Sequence, residues 1–159
     1  GGPFYDLRVV LRRIETLMER EDGVHHSTIR EELQETMSQH VSVFREEDGL
    51  KQALKDIREA REQYRDVVVE DPSSTYNTDL IHTIETRNLL DMAEAITAGA
   101  LVRTESRGAH WRKAHQERDD ENWLKHTLVA WNDGDPDIYF KPVVLEGEFG
   151  EYEPKARSY

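Results

Sequence analysis

Apolar residues fall at helical spacing through most of the chain. Leu7, Val10, Leu11, Ile14, Leu17 and Met18 follow the i, i+3, i+4, i+7 rule and predict a helix over residues 4–20, with Pro3 at a tolerated first-turn position. Gly23 and the pair His25-His26 interrupt that pattern. Thr28 and Glu31 have capping-box spacing ahead of Leu33 and Met37, predicting a shorter helix of two or three turns over 28–38. An irregular stretch follows around Val41-Ser42-Val43-Phe44. Leu50, Leu54, Ile57, Tyr64 and Val68 line one side of a charged helix predicted over 46–69. Residues 70–74 break it, and Asn77 is a natural N-cap for the next helix.

That helix, predicted over 78–107, carries Leu80, Ile81, Ile84, Leu89, Leu90, Met92, Ile96, Leu101 and Val102. Its second half is small and apolar nearly all round, as expected of a central, buried element. Part of its surface is then available to something beyond the other helices. Gly108 suits a left-handed helix end. Beyond it the period changes: 109–123 is polar and irregular, and 124–131 and 138–145 read as two strands around an Asp- and Gly-rich turn. Pro142 places its strand at a sheet edge. The tail from Glu146 shows no period.

The expected fold is mainly α: a spectrin-like antiparallel bundle of three main helices (4–20, 46–69, 78–107), then a small β-hairpin and an irregular tail. As domains, 1–108 form the bundle. Residues 109–159 form an extension, with its hairpin at about 124–145, packed on or beside it.

Composition narrows the function classes. Of 159 residues, 36% are hydrophobic and 34% charged, so the core is thin. The net charge of −12 disfavours nucleic acid and anionic membrane surfaces. There are no cysteines, which removes disulfides, thiolate metal sites and cysteine nucleophiles. No apolar run reaches the roughly 18 residues of a membrane span. The chain starts Gly1-Gly2-Pro3 without an initiator methionine, so a processed or excised piece is expected. The nine glycines make no G-x-G-x-x-G and no P-loop, and no G-x-S-x-G elbow is present. His110, His115 and His126 lack zinc spacing. Asp133, Asp135 and Asp137 lack the bidentate glutamate of a calcium loop and read as a hairpin turn. No metal, cofactor or catalytic residue is expected within the piece itself.

The run from Arg103 to Arg112 (Arg-Thr-Glu-Ser-Arg-Gly-Ala-His-Trp-Arg) stands apart. One reading is a helix C-terminus, with Arg103 and Arg107 complementing the dipole and Gly108 capping it. The other is an interface: three arginines, a histidine and a tryptophan leaving one helix end are rich in contact-forming residues.

Three further stretches accompany it: Arg118 to Leu128, Tyr139 to Val143, and the ending Arg157-Ser158-Tyr159. Together they resemble the C-terminal region of succinate dehydrogenase and fumarate reductase flavoproteins, over essentially the whole chain. Trp111 and Lys113 to Glu117 depart from the acidic-aromatic-Pro sequence of many relatives. The resemblance implies a non-catalytic domain of a subunit that oxidises succinate to fumarate through FAD and passes electrons to an iron–sulfur subunit. FAD would be bound by a preceding flavin domain of the same chain. Arg103, Glu105, Arg107, His110 and Arg112 are the expected interface with that domain. The implied location is cytoplasmic, peripheral on the inner membrane face through partner subunits, with no direct membrane insertion and no nucleic acid. L-aspartate oxidase, which shares the Glu-Ser-Arg-Gly-Ala-His run, is the alternative within the class; a free-standing helical interaction module is the alternative outside it.

Overall fold

The structure, a computed structural model, describes residues 7–132, 134–148 and 150–155, with only the backbone of Leu7. Pro3, the expected first turn at 4–6, Asp133 and the Arg157-Ser158-Tyr159 ending lie outside the described residues. Four helices dominate: α1 (Leu7–Met18), α2 (His26–His40), α3 (Glu47–Gln63) and α4 (Thr78–Val102). The short strands β1 (Val24–His25), β2 (Phe44–Arg45) and β3 (Val67–Val68) separate them. After α4 come β4 (Trp111–Arg112), the single turn α5 (Asp120–Trp123) and the hairpin β5 (Lys125–Asn132) and β6 (Asp135–Pro142). A last small pair, β7 (Glu146–Gly147) and β8 (Gly150–Glu151), gives the expected irregular tail one antiparallel turn.

The fold is mainly α, as expected, but the third helix of the bundle is α2. Its Ile29 and Leu33 meet Ile57 and Ala60 of α3 and Leu90 and Ala93 of α4 in the main core. Running direction is read from the pairs that touch: Tyr64 Oη donates to Thr83 O at 2.8 Å, while Arg61, one turn earlier, reaches Glu94. So α3 and α4 are antiparallel. The helix α1 adds fully buried Leu17 and part of Met18, while its Val9, Val10 and Leu11 are exposed.

Several boundaries moved for identifiable reasons. The helix α2 starts before the expected Thr28 cap, because His25 Nδ1 accepts from Ser27 N–H and caps it instead. It is 15 residues long, more than the expected two or three turns. The helix α3 stops at Gln63 rather than 69; a 3-10 turn (Tyr64–Asp66) leads into β3, where β-branched Val67 and Val68 pair parallel with β1. That pairing needs Gly23: a Cβ there would stand 1.8 Å from Asp66 O. Asn77 is the N-cap of α4 as expected, accepting from Leu80 N–H at 2.8 Å.

The largest shift is at the other end of α4. It ends at Val102, with Arg103 extended, instead of running to 107. Gly108 therefore does not cap it. At φ +59° it occupies a tight turn in which Arg107 and His110 exchange backbone hydrogen bonds.

Nor is α4 buried on every side. Its inner face holds Thr83, Thr86, Leu90, Ala93, Glu94 and Thr97. Each threonine hydroxyl satisfies itself by donating to the carbonyl four residues back (2.9, 2.7 and 2.7 Å). Buried Glu94 is paired with Arg58 and Arg61 at 3.0 and 2.8 Å. The outer face exposes Leu89, Met92 and Ile96 at 42%, 60% and 46%. Leu90→Ala should then cost about 2–5 kcal/mol, while Ile96→Ala, expected from sequence to be equally costly, should stay within about 0.5 kcal/mol. Urea unfolding of the two variants checks both values.

In the hairpin, Asn132 pairs with Asp135 and Lys125 with Pro142, so the turn is tighter than the sequence suggested and Pro142 ends its strand. The hairpin lies along α4, with Thr127 Cγ2 beside Gly99. The Arg61 guanidinium stands 4.9 Å from the Trp131 ring centroid.

Candidate functional site

The chain leaving α4 folds back on the helix end that it has just left. The last carbonyls of any helix lack intrahelical partners. Here Arg112, 1% exposed, supplies them: its Nη1 donates to Ala100 O, Leu101 O and Arg103 O at 2.7, 3.0 and 3.2 Å. Parallel pairing of β4 with β2 holds Arg112 there, through Trp111 N–H to Val43 O and Lys113 N–H to Arg45 O. Ser106 closes the loop, its Oγ accepting from Arg112 N–H at 2.8 Å and donating to His115 O at 2.7 Å.

Beside this cap lies a fully buried carboxylate. Glu105 accepts from Arg107 Nε and Nη2, both at 2.9 Å, in a two-pronged contact. It also accepts from Asp119 N–H at 2.9 Å, and Arg103 Nε stands 3.2 Å away. Arg107 Nη2 continues to Asp120 Oδ1 at 2.7 Å, and Arg118 binds the other Asp120 oxygen. The hydrogen bonds to Glu105 hold Arg107 still more firmly protonated. Arg103 fastens the hairpin, donating to Trp123 O and Lys125 O at 2.7 and 2.8 Å.

His110 is half-buried between two basic groups. Arg45 Nη1 donates to its Nδ1 at 2.6 Å, so Nε2 carries the proton towards Arg103 O at 3.3 Å. Burial, with Arg45, Arg112 and Arg103 nearby, lowers its pKa below the ordinary histidine value. The unfolded chain therefore takes up that proton first, and stability falls as pH drops from about 6.5 through the lower folded value. The urea midpoint should decrease between pH 7.5 and 5.5, and His110→Gln should flatten that decrease.

The five residues singled out from sequence are thus brought together, in two environments. Glu105 and Arg112 are buried inside the chain; Glu105 and the Arg112 Nη1 bond to it, while Arg112 Nε has no partner among the described residues. Arg103, Arg107 and His110 keep partly exposed edges. A shallow groove of about 350 Å³ adjoins them, lined by Ala95, Ile96, Gly99, Arg103, His110 and Thr127 among others. It continues the exposed apolar face of α4. Sequence reasoning missed Arg45, which lies 65 residues from His110 and carries no motif. Asp119 and Asp120 were visible only as part of the family-like run.

Among the described residues no glycine turn cradles a nucleotide cofactor. Of the positive-φ glycines, Gly108 and Gly134 sit in turns, Gly150 opens β8, and Gly23, ahead of α2, is packed against Asp66 O rather than open to a phosphate. The described residues do not fit a flavin site. Nor, among the described residues, is any helix long and apolar enough to cross a membrane.

Comparison with known proteins places this architecture. The family model for the fumarate reductase flavoprotein C-terminus matches residues 30–159. The fumarate reductase flavoprotein subunit of Haemophilus influenzae is 40% identical over 137 residues, which are 86% of this chain and 23% of that protein. The mitochondrial succinate dehydrogenase flavoprotein subunit of Oryza sativa is 41% identical over 136 residues, 84% of this chain and 22% of its own length. A solved variant of the E. coli quinol fumarate reductase superposes with a TM-score of 0.82 at 34% identity, covering 86% of this chain and 24% of that one. The chain spans about a quarter of the length of these relatives. It belongs to the C-terminal family of succinate dehydrogenase and fumarate reductase flavoprotein subunits.

Proposed function

We propose that this chain is the non-catalytic C-terminal domain of an FAD-dependent subunit that interconverts succinate and fumarate. FAD is held by a preceding flavin domain of the same polypeptide, and electrons pass to an iron–sulfur subunit. Such a subunit is peripheral to the cytoplasmic face of the membrane, reached through its partner subunits.

One observation carries the reading: the outer face of α4 presents Leu89, Met92 and Ile96 to solvent, next to the braced loop at 103–112. A contiguous exposed apolar face on an otherwise highly charged chain marks a contact surface. The flavin domain covers it. Arg103, Arg107 and His110 form its polar rim, while Glu105 and Arg112 keep the rim rigid from within. The position of the family match, over a C-terminal quarter of its relatives, agrees with this division of labour.

The test uses two proteins. The full-length subunit should copurify with stoichiometric flavin and oxidise succinate with an artificial acceptor. The 159-residue chain alone should be colourless and inactive. Flavin on the isolated chain, or a full-length protein with neither flavin nor activity, would overturn the proposal.

A further inference from the structure

At the opposite end of α4 from the interface loop, two adjacent histidines converge on one carboxylate oxygen. His25 Nε2 stands 2.9 Å and His26 Nε2 3.0 Å from Asp79 Oδ1. The three ligand-type atoms all lie within 4.8 Å of one another. We propose that His25, His26 and Asp79 form a site for a divalent transition-metal ion of the zinc class, bound through the two Nε2 atoms and Asp79 Oδ1.

His25 and Asp79 are each already oriented by a second contact, as metal ligands characteristically are. His25 Nδ1 lies 2.8 Å from Ser27 Oγ, so ligation through Nε2 would place the proton on Nδ1, donating to that hydroxyl in place of accepting from Ser27 N–H. The other aspartate oxygen, Oδ2, accepts from Glu70 N–H and Asp71 N–H at 2.6 and 3.1 Å, leaving Oδ1 for the imidazoles. His26 is 93% buried by its 7% exposure, and its Nδ1 has no hydrogen-bond partner. Its ring lies 4.2 Å from that of His25 and 5.6 Å from that of His82, centroid to centroid.

The spacing suits an ion. Ligand atoms about 2.1 Å from a tetrahedral ion lie about 3.4 Å apart, so the two His–Asp79 separations, now hydrogen bonds of 2.9 and 3.0 Å, need open by only about half an ångström to admit one. Two imidazoles and one carboxylate select zinc, nickel, cobalt or copper over calcium or magnesium, which prefer oxygen. The His25 side chain is 29% exposed, which gives the ion a way in and leaves room for waters.

A bound ion would tie the start of α2, the first turn of α4 and the 70–71 segment together.

Cobalt is the probe, titrated into the chelator-stripped full chain at pH 7.5 and followed by its visible absorption, with zinc as competitor. One cobalt per chain is expected, displaced by zinc, raising the melting temperature and lost at pH 5.5. His25→Gln, a partly exposed position, should weaken binding at least tenfold with an unchanged far-UV dichroism spectrum, whereas His82→Gln should leave binding intact. Asp79→Asn should also weaken it; if that variant fails to fold, His25→Gln decides alone. Absence of saturable binding at millimolar cobalt, or undiminished binding in His25→Gln, would overturn the proposal.

Discussion

Arg112→Ala should destabilise the chain by about 3 kcal/mol or more, a large share of the stability of a domain this size. The side chain is fully buried and its Nη1 serves three carbonyls at the end of α4. Alanine removes a charged donor and leaves the Ala100 carbonyl buried without a replacement, so desolvation adds to the lost bonds. It also opens a cavity where the long side chain packed. Arg112→Lys keeps the charge but presents one ammonium in place of a planar fork, and should fall between the two. The measurement is urea unfolding of the three proteins. A loss for alanine no larger than that of an exposed substitution would show that Arg112 does not hold the loop.

The second large effect concerns the exposed face of α4. Met92→Glu together with Ile96→Glu should leave the 159-residue chain within about 0.5 kcal/mol of its original stability, because both side chains already face water. In the full-length subunit the same pair should abolish flavin retention. Two carboxylates placed in an apolar contact must be desolvated without partners, at a cost of several kcal/mol. Stability of the short chain is read by unfolding, and flavin by absorbance of the purified subunit. Normal flavin and turnover in the double variant would show that this face meets no domain.

The helices were legible because their periods are strong, and Asn77 could be identified as a cap from residue type alone. What sequence could not show was where β-branched runs or distant pairings override helical preference. Val67-Val68 looked like helix because Val68 fits the stripe, yet it finds a strand partner in Val24-His25, some forty residues earlier in sequence. Residues 103–107 continued the helical pattern of α4, but extended backbone there lets Arg112 reach the helix end. A carbonyl cap supplied from a later strand leaves no signature in spacing. The apolar character of α4 was read correctly, but its sidedness was not. Threonines that satisfy their own hydroxyls occupy the inner face, so hydrophobicity alone pointed the wrong residues inward. In the 103–112 loop, the motif brought the five residues to notice but could not separate buried Glu105 and Arg112 from the partly exposed Arg103, Arg107 and His110.

The proposed function rests on coverage of the outer face of α4 by the remainder of a flavoprotein subunit. Hydroxyl-radical labelling of Met92 tests it most directly, since Met92 is 60% exposed in this chain and methionine reacts readily. Half-buried Met37, which packs against both core clusters of the chain itself, serves as the reference. Met92 should be oxidised several-fold more slowly in the full-length subunit than in the 159-residue chain, while Met37 reacts alike in both. Equal Met92 rates in the two proteins would contradict it.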